Sequence, residues 1–263
     1  MEPATQQSEL LKLLTQCWMS YEQSTTHDFV VKQAIPILFF GDSKRYFSSS
    51  LKVITVGLNP SGKEFPDHDR FSRFPAVREA SHRTGPQHLA ALDAYFHTNP
   101  YKRWFASFEP ILNGLECSYY AREDNTALHD NTALHTDLFS PIATSPTWAK
   151  LSKQQRSLLE AEGLCLWHLL VKALAPDVIL ISVAERHLQH IQFRSLAHRQ
   201  LIWSLNRQRP FDVWGTPIQV HASKPSLQVF GRAAQTPFGK VSIAKKVEMG
   251  AAIKEEWKRV FSR

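Results

Sequence analysis

The stretch "LKVITVGLNPSGKEF", residues 51–65, carries the strongest indications of the fold. Its first half, "LKVITVGL", is apolar nearly throughout, which is typical of a β-strand that is covered on both faces. The segment Gly57-Leu58-Asn59-Pro60-Ser61 then forms a turn of the kind that presents a polar side chain at the end of a sheet. The sequence therefore predicts a buried strand with Asn59 at its carboxyl end.

The same residues contain the skeleton of a phosphate-binding P-loop, because Gly57 is followed at the required spacing by Gly62 and Lys63. That motif needs Ser or Thr after the lysine, where the hydroxyl holds Mg²⁺, but Glu64 stands there. Pro60 also removes an N–H from a loop that would bind phosphate through its backbone. A nucleotide-phosphate enzyme that uses Lys63 is therefore disfavoured, and Asn59 is the better candidate for chemistry.

Length and composition suit one α/β domain over residues 1–263, with residues 1–30 as an N-terminal helical extension. The formal charge of +7 suits nucleic acid or another polyanion as the partner. The three cysteines form no C-x-x-C motif, so neither a zinc nor an iron–sulfur site is expected, and free thiols indicate a reducing, cytoplasmic compartment. The N-terminus lacks the apolar run of a secretory signal, and no apolar stretch is long enough to predict a membrane span.

Strands and helices alternate along the chain, which predicts a three-layer α/β/α fold around a mostly parallel sheet of four to five strands. Strands are predicted at 34–40, 51–58, 133–139, 177–182 and 211–223, and helices at 8–22, 86–98, 100–115, 153–175, 184–208 and 241–261. The segments 60–86 and 224–240 are predicted to be long irregular loops. Polar side chains at the carboxyl ends of the strands, Asn59, Asp137 and His221, should converge in one crevice.

The hexapeptide DNTALH occurs twice in tandem, at 124–129 and 130–135. Two copies are too few for a solenoid, so we interpret the repeat as a local duplication before a strand. Its His129, Asp130 and His135 could suggest a metal site, but the duplication explains their recurrence better. No metal and no organic cofactor is expected.

Two motifs resemble the signatures of the uracil-DNA glycosylase superfamily, in its mismatch-specific and single-strand-selective branches. The first is Gly-x-Asn-Pro-Ser at 57–61, and the second is the His-x-Ser-x-Pro motif that begins at His221. The layout matches over roughly residues 35–260, but the motifs themselves cover only about 25 residues. The resemblance implies a monomeric, monofunctional DNA glycosylase that flips out a pyrimidine and hydrolyses its N-glycosidic bond, leaving an abasic site.

The resemblance also implies roles for individual residues. Asn59 would position the attacking water, and a neutral His221, together with N–H groups near Leu58–Ser61, would donate to the departing base. The base would stack on an aromatic side chain from the set Phe65, Phe71 and Phe74. Leu227 would fill the gap that the flipped base leaves in the DNA. The expected phosphate contacts are Ser61, Ser223, Lys224, Arg232 and Lys240.

Asp137 departs from the family pattern, in which an asparagine pairs with the edge of uracil. An ionised aspartate only accepts hydrogen bonds, so it suits the exocyclic amine of a cytosine better than the O4 of uracil. The predicted substrate is therefore a modified cytosine, as found in some phage DNA, which points to phage defence; uracil stays open, and Asn125 or Asn131 could be the base reader instead. The alternative function is a nucleic-acid-binding module that keeps the fold without the chemistry.

Overall fold

The computed structural model of the chain describes residues 3–78, 85–122, 124, 126–206, 210–222, 224–233, 236–239 and 241–261. In this part of the chain, no helix is long and apolar enough to cross a membrane.

The described residues form an α/β fold with one mixed sheet of eight strands, so the α/β class is confirmed. The strands run in spatial order β2-β3-β1-β4-β8-β7-β5, and β6 also pairs with β7. Their bounds are β1 Val53–Gly57, β2 Cys117–Ser118, β3 Asn131–Asp137, β4 Val178–Ile181, β5 Arg194–Ser195, β6 Gln200–Leu205, β7 Phe211–His221 and β8 Lys224–Gly231. The sheet is larger and less parallel than predicted, and the three-layer, glycosylase-like arrangement stays a prediction.

Strand direction separates the sheet into two parts. β2 with β3, β1 with β4, and β4 with β8 are parallel pairs, whereas β7 is antiparallel to β5, β6 and β8. All residues of β1 and β4 are buried, as expected of strands covered on both faces. The apolar runs at 51–58 and 177–182 therefore predicted central strands correctly.

The α-helices of the described residues are α1 Pro3–Ser24, α2 Ser43–Ser48, α3 Gly85–Asp93, α4 Lys102–Phe105, α5 Glu109–Gly114, α6 Lys153–Leu174 and α7 Ile243–Phe261. The three long helices α1, α6 and α7 confirm the helices predicted from apolar periodicity.

Three predicted segments differ from the structure. Residues 184–208 are not one helix: a 3-10 helix over Glu185–His190 is followed by β5 and β6, because pairing with β7 overrides the local helical pattern. The start of the predicted 224–240 loop is instead strand β8, in which Pro225 falls near the strand start, where proline is tolerated. Residues 34–40 are buried but irregular, and only Phe40 forms a bridge, to His135.

The chain divides into two compact units. The first unit comprises Met1–Ser43, Gly57–Tyr101 and His135–Leu174, and the second comprises Lys44–Val56, Lys102–Leu134 and Ala175–Arg263. In the first unit α1 packs on α6 and α3, where Ser20 donates a hydrogen bond to Glu162 (2.8 Å) and Trp18 donates to His88 (2.8 Å). The helix predicted within residues 1–30 is thus confirmed, while the single-domain organisation stays a prediction.

Candidate functional site

The loop after β1 is fixed by the segment after β3, within the first unit. The carbonyls of Gly57 and Pro60 accept hydrogen bonds from the N–H groups of Leu138 (3.1 Å) and Thr144 (3.2 Å). Thr144 also accepts through its carbonyl from the next part of the loop, at 3.0 Å. The turn that carries Asn59 is therefore held along its length.

The Asn59 amide has a fixed orientation. Its Nδ2 donates to the hydroxyl of Thr144 (2.9 Å) and to the carbonyl of Ile142 (3.3 Å). A carbonyl only accepts, so the amide nitrogen and not the oxygen must face Ile142. The Oδ1 of this half-buried side chain consequently points away from both partners, and it is the atom that can accept a hydrogen bond from water.

Asp137 lies against the first residue of the same turn. A Cβ placed on Gly57 would come within 2.4 Å of Asp137 Oδ1 and 3.0 Å of His135 Nε2, so only glycine leaves room for the carboxylate. The Asp137 side chain is 5% exposed, and its Oδ1 lies 3.7 Å from His135 Nε2. The structure thus brings Asp137 and the Asn59 turn together, as predicted from their positions at strand ends.

Of the two asparagines that we considered as alternative base readers, Asn131 belongs to the described residues. Asn131 begins β3, where its Oδ1 accepts from Leu51 N (2.9 Å) and its Nδ2 donates to Glu116 O (3.1 Å). These contacts give Asn131 a structural role in the second unit. Asn125 lies outside the described residues.

Glu64 is a buried carboxyl near this turn to which the sequence analysis gave no role. It is 4% exposed, it accepts a hydrogen bond from the Tyr95 hydroxyl (2.6 Å), and it lies 3.8 Å from Arg73 Nε. Burial raises the pKa of the Glu64 carboxyl to about 7; the Tyr95 hydrogen bond and Arg73 oppose this rise, and the charge of Asp137 adds to it. A carboxyl whose pKa is raised to about 7 therefore lies close enough to interact with the charge of Asp137. No sequence pattern marks it, because it ends a single-turn 3-10 helix, Gly62–Glu64, that is too short to show periodicity.

The three phenylalanines suggested as a base platform are not equivalent. Phe74 is fully buried, with its ring stacked on Phe65 at 5.5 Å and packed on Tyr95 at 5.3 Å. A platform needs an accessible face, so Phe74 is a core residue and its predicted role is corrected. Phe65 is only 1% exposed but lines a cavity, and the half-buried Phe71 packs edge-on against it.

A strongly basic cavity of about 780 Å³ lies beside the Asn59 turn, in the first unit. Its charged lining, which defines what we call the basic cavity, comprises Lys32, Lys63, Arg70, Arg73, Lys150 and Asp67. Ser61 also lines it, and this hydroxyl accepts from Lys63 N (3.3 Å) as the cap of a short 3-10 helix. Of the predicted phosphate contacts, Ser61 is therefore placed where an anion could reach it.

His221 lies at the edge of the sheet where the parallel strands begin. It ends β7 and is paired with Lys224, the first residue of β8, in an antiparallel hairpin. Since β8 is parallel to β4 and β4 to β1, this hairpin turn lies on the side from which β1 starts. Asn59 follows the carboxyl end of β1, which is at the opposite edge of the sheet. The expectation that His221 shares the strand-end edge with Asn59 and Asp137 is therefore wrong, because β7 runs against the parallel strands.

The remaining residues that were predicted to contact DNA lie in different surroundings. Leu227 is fully buried inside β8, in register with Val178 of β4, so it cannot act as a wedge. Lys224 is paired with Asp177 at 2.8 Å. Arg232 follows the carboxyl end of β8 and lines a second cavity of about 380 Å³. Ser223 and Lys240 lie outside the described residues.

No family model matches the chain, and neither a curated protein nor a solved structure does. In the described part of the chain, no three His, Cys, Asp or Glu side chains are grouped to hold a metal ion. The site is therefore interpreted from its own geometry.

Proposed function

We propose that this protein is a monofunctional DNA glycosylase that flips a pyrimidine out of DNA and hydrolyses its N-glycosidic bond. The observation that carries the proposal is the Asn59 amide, anchored by Ile142 and Thr144 at the carboxyl end of β1, with Asp137 against the same turn. Asn59 Oδ1 can accept a hydrogen bond from water, and the Asp137 carboxylate can accept one from the edge of a base. Both then belong to the same pair of hydrogen-bonded segments, the one after β1 and the one at the end of β3.

The chemistry requires little from the protein besides position and charge. The water oxygen adds to C1′ of the sugar while the C1′–N bond breaks with its electron pair on the base. One water proton stays on the new sugar hydroxyl and the other ends on the released base. Asn59 Oδ1 is a weak base, but it can orient the water, which suffices when the sugar is already cationic in the transition state.

The side chain that would contact the edge of the base, Asp137, suggests the substrate. Asp137 is a carboxyl, and an ionised carboxylate accepts from an exocyclic amine but offers no donor to a carbonyl oxygen. We therefore propose an amine-bearing base, a modified cytosine of the kind found in phage DNA, in preference to uracil. Such a substrate would fit a cytoplasmic, monomeric enzyme of phage defence.

One observation favours the alternative, a nucleic-acid-binding module of the same fold without activity. His221, the predicted donor to the departing base, belongs to the sheet edge where β1 begins. If no other donor replaces it, the base anion would lack stabilisation, and the protein would bind DNA without cleaving the bond.

The substitution Asn59→Ala tests the proposal. It should lower the rate of base release by about 10²-fold or more, the usual effect of losing one positioned transition-state contact, while leaving DNA binding intact. The measurement is strand cleavage by hot alkali after incubation with DNAs that contain 5-substituted cytosines or uracil. We expect the amine-bearing bases to be released faster than uracil.

Asn206→Ala is the matched control, because Asn206 is an exposed asparagine in the second unit. It should retain full activity. Binding of DNA without release of any base from the panel by the native protein would support the inactive module instead. Equal rates for native protein and Asn59→Ala would remove Asn59 from the mechanism.

A further inference from the structure

The basic cavity has an unbalanced charge. Five cationic side chains line it against the single carboxylate of Asp67, which is itself paired with Arg70 at 3.1 Å. Lys150 is exposed, and its ammonium has no hydrogen-bond or ion-pair partner among the residues that the structure describes. Arg73 in turn lies 3.8 Å from Glu64, which leaves Lys32, Lys63 and Lys150 without a carboxylate partner among the described residues, and an external anion would complete the site.

Two of these cations are held close together around one aromatic ring. Lys63 Nζ lies 5.4 Å from the centroid of the Tyr101 ring, and Arg73 Cζ lies 5.6 Å from it. Lys63 Nζ also donates to the Tyr101 hydroxyl at 3.3 Å. The ring attracts both cations but does not cancel their mutual repulsion. Arg73 is partly balanced by Glu64 at 3.8 Å and donates to the carbonyl of Lys63 at 3.2 Å, so Lys63 is the cation of this pair that an anion in the cavity would contact.

Hydroxyl groups line the same cavity. Ser61, Ser145 and Thr147 all border it, and Ser145 and Thr147 are exposed. Serine and threonine hydroxyls and basic side chains are the groups that contact phosphate oxygens in protein–DNA interfaces. The lining therefore matches the chemistry of a phosphate chain.

We propose that the basic cavity, with Lys63 and Lys150 as its principal contacts, is the surface on which this protein holds the phosphodiester backbone of DNA. This inference rests on the proposed function for the choice of DNA as the polyanion. Of the DNA contacts that the sequence suggested, Ser61 lines this cavity, whereas Lys224 is paired with Asp177 and Leu227 is buried.

Lys63 and Lys150 are exposed, so they can be substituted without disturbing the core. Lys63→Gln and Lys150→Gln should each weaken binding of a short, unmodified, fluorescently labelled duplex by roughly three- to tenfold. Each should also lower the slope of log K against log salt by about 1, because one fewer counterion is released. The measurement is fluorescence anisotropy over a range of salt concentrations, with circular dichroism to confirm folding.

Lys172→Gln is the matched control, since it removes the same charge from an exposed position of α6 that does not line the cavity. An effect of Lys172→Gln equal to those of the cavity variants would overturn the proposal, because only total charge would then matter. Displacement of the DNA by tripolyphosphate at equal phosphate concentration would also overturn it, since the cavity would then be a site for a small polyanion.

The binding assay uses unmodified DNA and does not depend on excision, so the two proposals can fail separately. If the cavity variants weaken binding but no base is ever released, the cavity assignment stands and the glycosylase is refuted. If native protein releases bases and both cavity variants bind DNA as the native protein does, the glycosylase stands and the cavity assignment is refuted.

Discussion

At position 57, any side chain larger than hydrogen would collide with the Asp137 carboxylate. The glycine of the Gly-x-Asn-Pro motif is therefore explained here by a contact with the end of β3. Asn59, two residues further, is oriented by the same segment through Ile142 and Thr144. Two motif positions, Gly57 and Asn59, thus depend on one pair of loops, which explains their close spacing in the sequence.

Glu64 should make stability depend on pH. Its pKa is about 7 in the folded protein against an ordinary value of 4.5, so between these values the folded chain keeps a proton that the unfolded chain has released. The resulting stabilisation is fully present below pH 4.5 and is lost as pH rises to about 7. We expect Glu64→Gln to remove this loss, on the order of 2 kcal/mol in the free energy of unfolding between pH 5 and pH 8.

Urea unfolding of the native protein and of Glu64→Gln at both pH values measures this difference. Asp67→Asn serves as the control, because the Asp67 side chain is 95% exposed and its removal changes the same charge without desolvation. A difference between native protein and Glu64→Gln that is the same at pH 5 and pH 8 would contradict the role assigned to burial.

Among the secondary-structure elements, α5 and α7 approach each other through two glycines. A Cβ on Gly250 would lie 2.1 Å from the carbonyl oxygen of Ile111, and one on Gly114 would lie 2.1 Å from the carbonyl oxygen of Val247. In both cases the obstacle is backbone, which cannot move aside as a flexible side chain can. The close packing of α7 on α5 in the second unit therefore depends on these residues.

Gly250→Ala should destabilise the protein, although alanine is the better helix former by roughly 0.5–1 kcal/mol. Overpacking against the α5 backbone should cost about 1–3 kcal/mol, which outweighs the gain in propensity. Thermal unfolding of Gly250→Ala checks the sign. Ala251→Gly at the neighbouring exposed position is the control, since it should destabilise the protein only by the difference in helix propensity between alanine and glycine. A rise in melting temperature for Gly250→Ala would show that the two helices can separate without cost.

The sequence predicts an element well when the element produces a local pattern, and poorly when the element depends on pairing with a distant segment. The long helices α1, α6 and α7 and the buried strands β1 and β4 were predictable, because periodicity and apolar runs are local properties. β6 and β8 were not, since their strand state depends on pairing with β7, which no local pattern encodes. Residues 34–40 are apolar because they are buried, not because they form a strand.

For the whole molecule, the polarity of the sheet decides which predicted site residues can act together. Asn59 follows β1 and Asp137 ends β3, and Asp137 lies against Gly57 of the Asn59 turn, as expected for residues at the carboxyl ends of neighbouring strands. His221 was misplaced because the antiparallel direction of β7 could not be inferred from its sequence. Glu64 and the basic cavity were missed because they are assembled from irregular segments of the first unit.

This polarity leads to a contrast between two residues of the second unit. Functional groups of α/β proteins gather at the carboxyl ends of parallel strands. Arg232 directly follows the carboxyl end of β8, whereas His221 ends β7 at the edge where β8 begins. We expect His221→Ala to leave base release within about threefold of the native rate, because the imidazole is at the wrong edge to replace a donor worth ~10²–10³-fold.

Arg232→Gln should slow base release or weaken DNA binding more than His221→Ala does, because it removes a cation from the strand-end edge. Single-turnover rates on the best substrate of the panel, together with anisotropy on unmodified DNA, measure both effects. Melting curves must show that each variant is folded. A loss of 10²-fold or more for His221→Ala, with binding intact, would restore the donor role of His221. It would then follow that the His-x-Ser-x-Pro motif works from the edge where β1 begins, and that Asn59 is not its partner in the reaction.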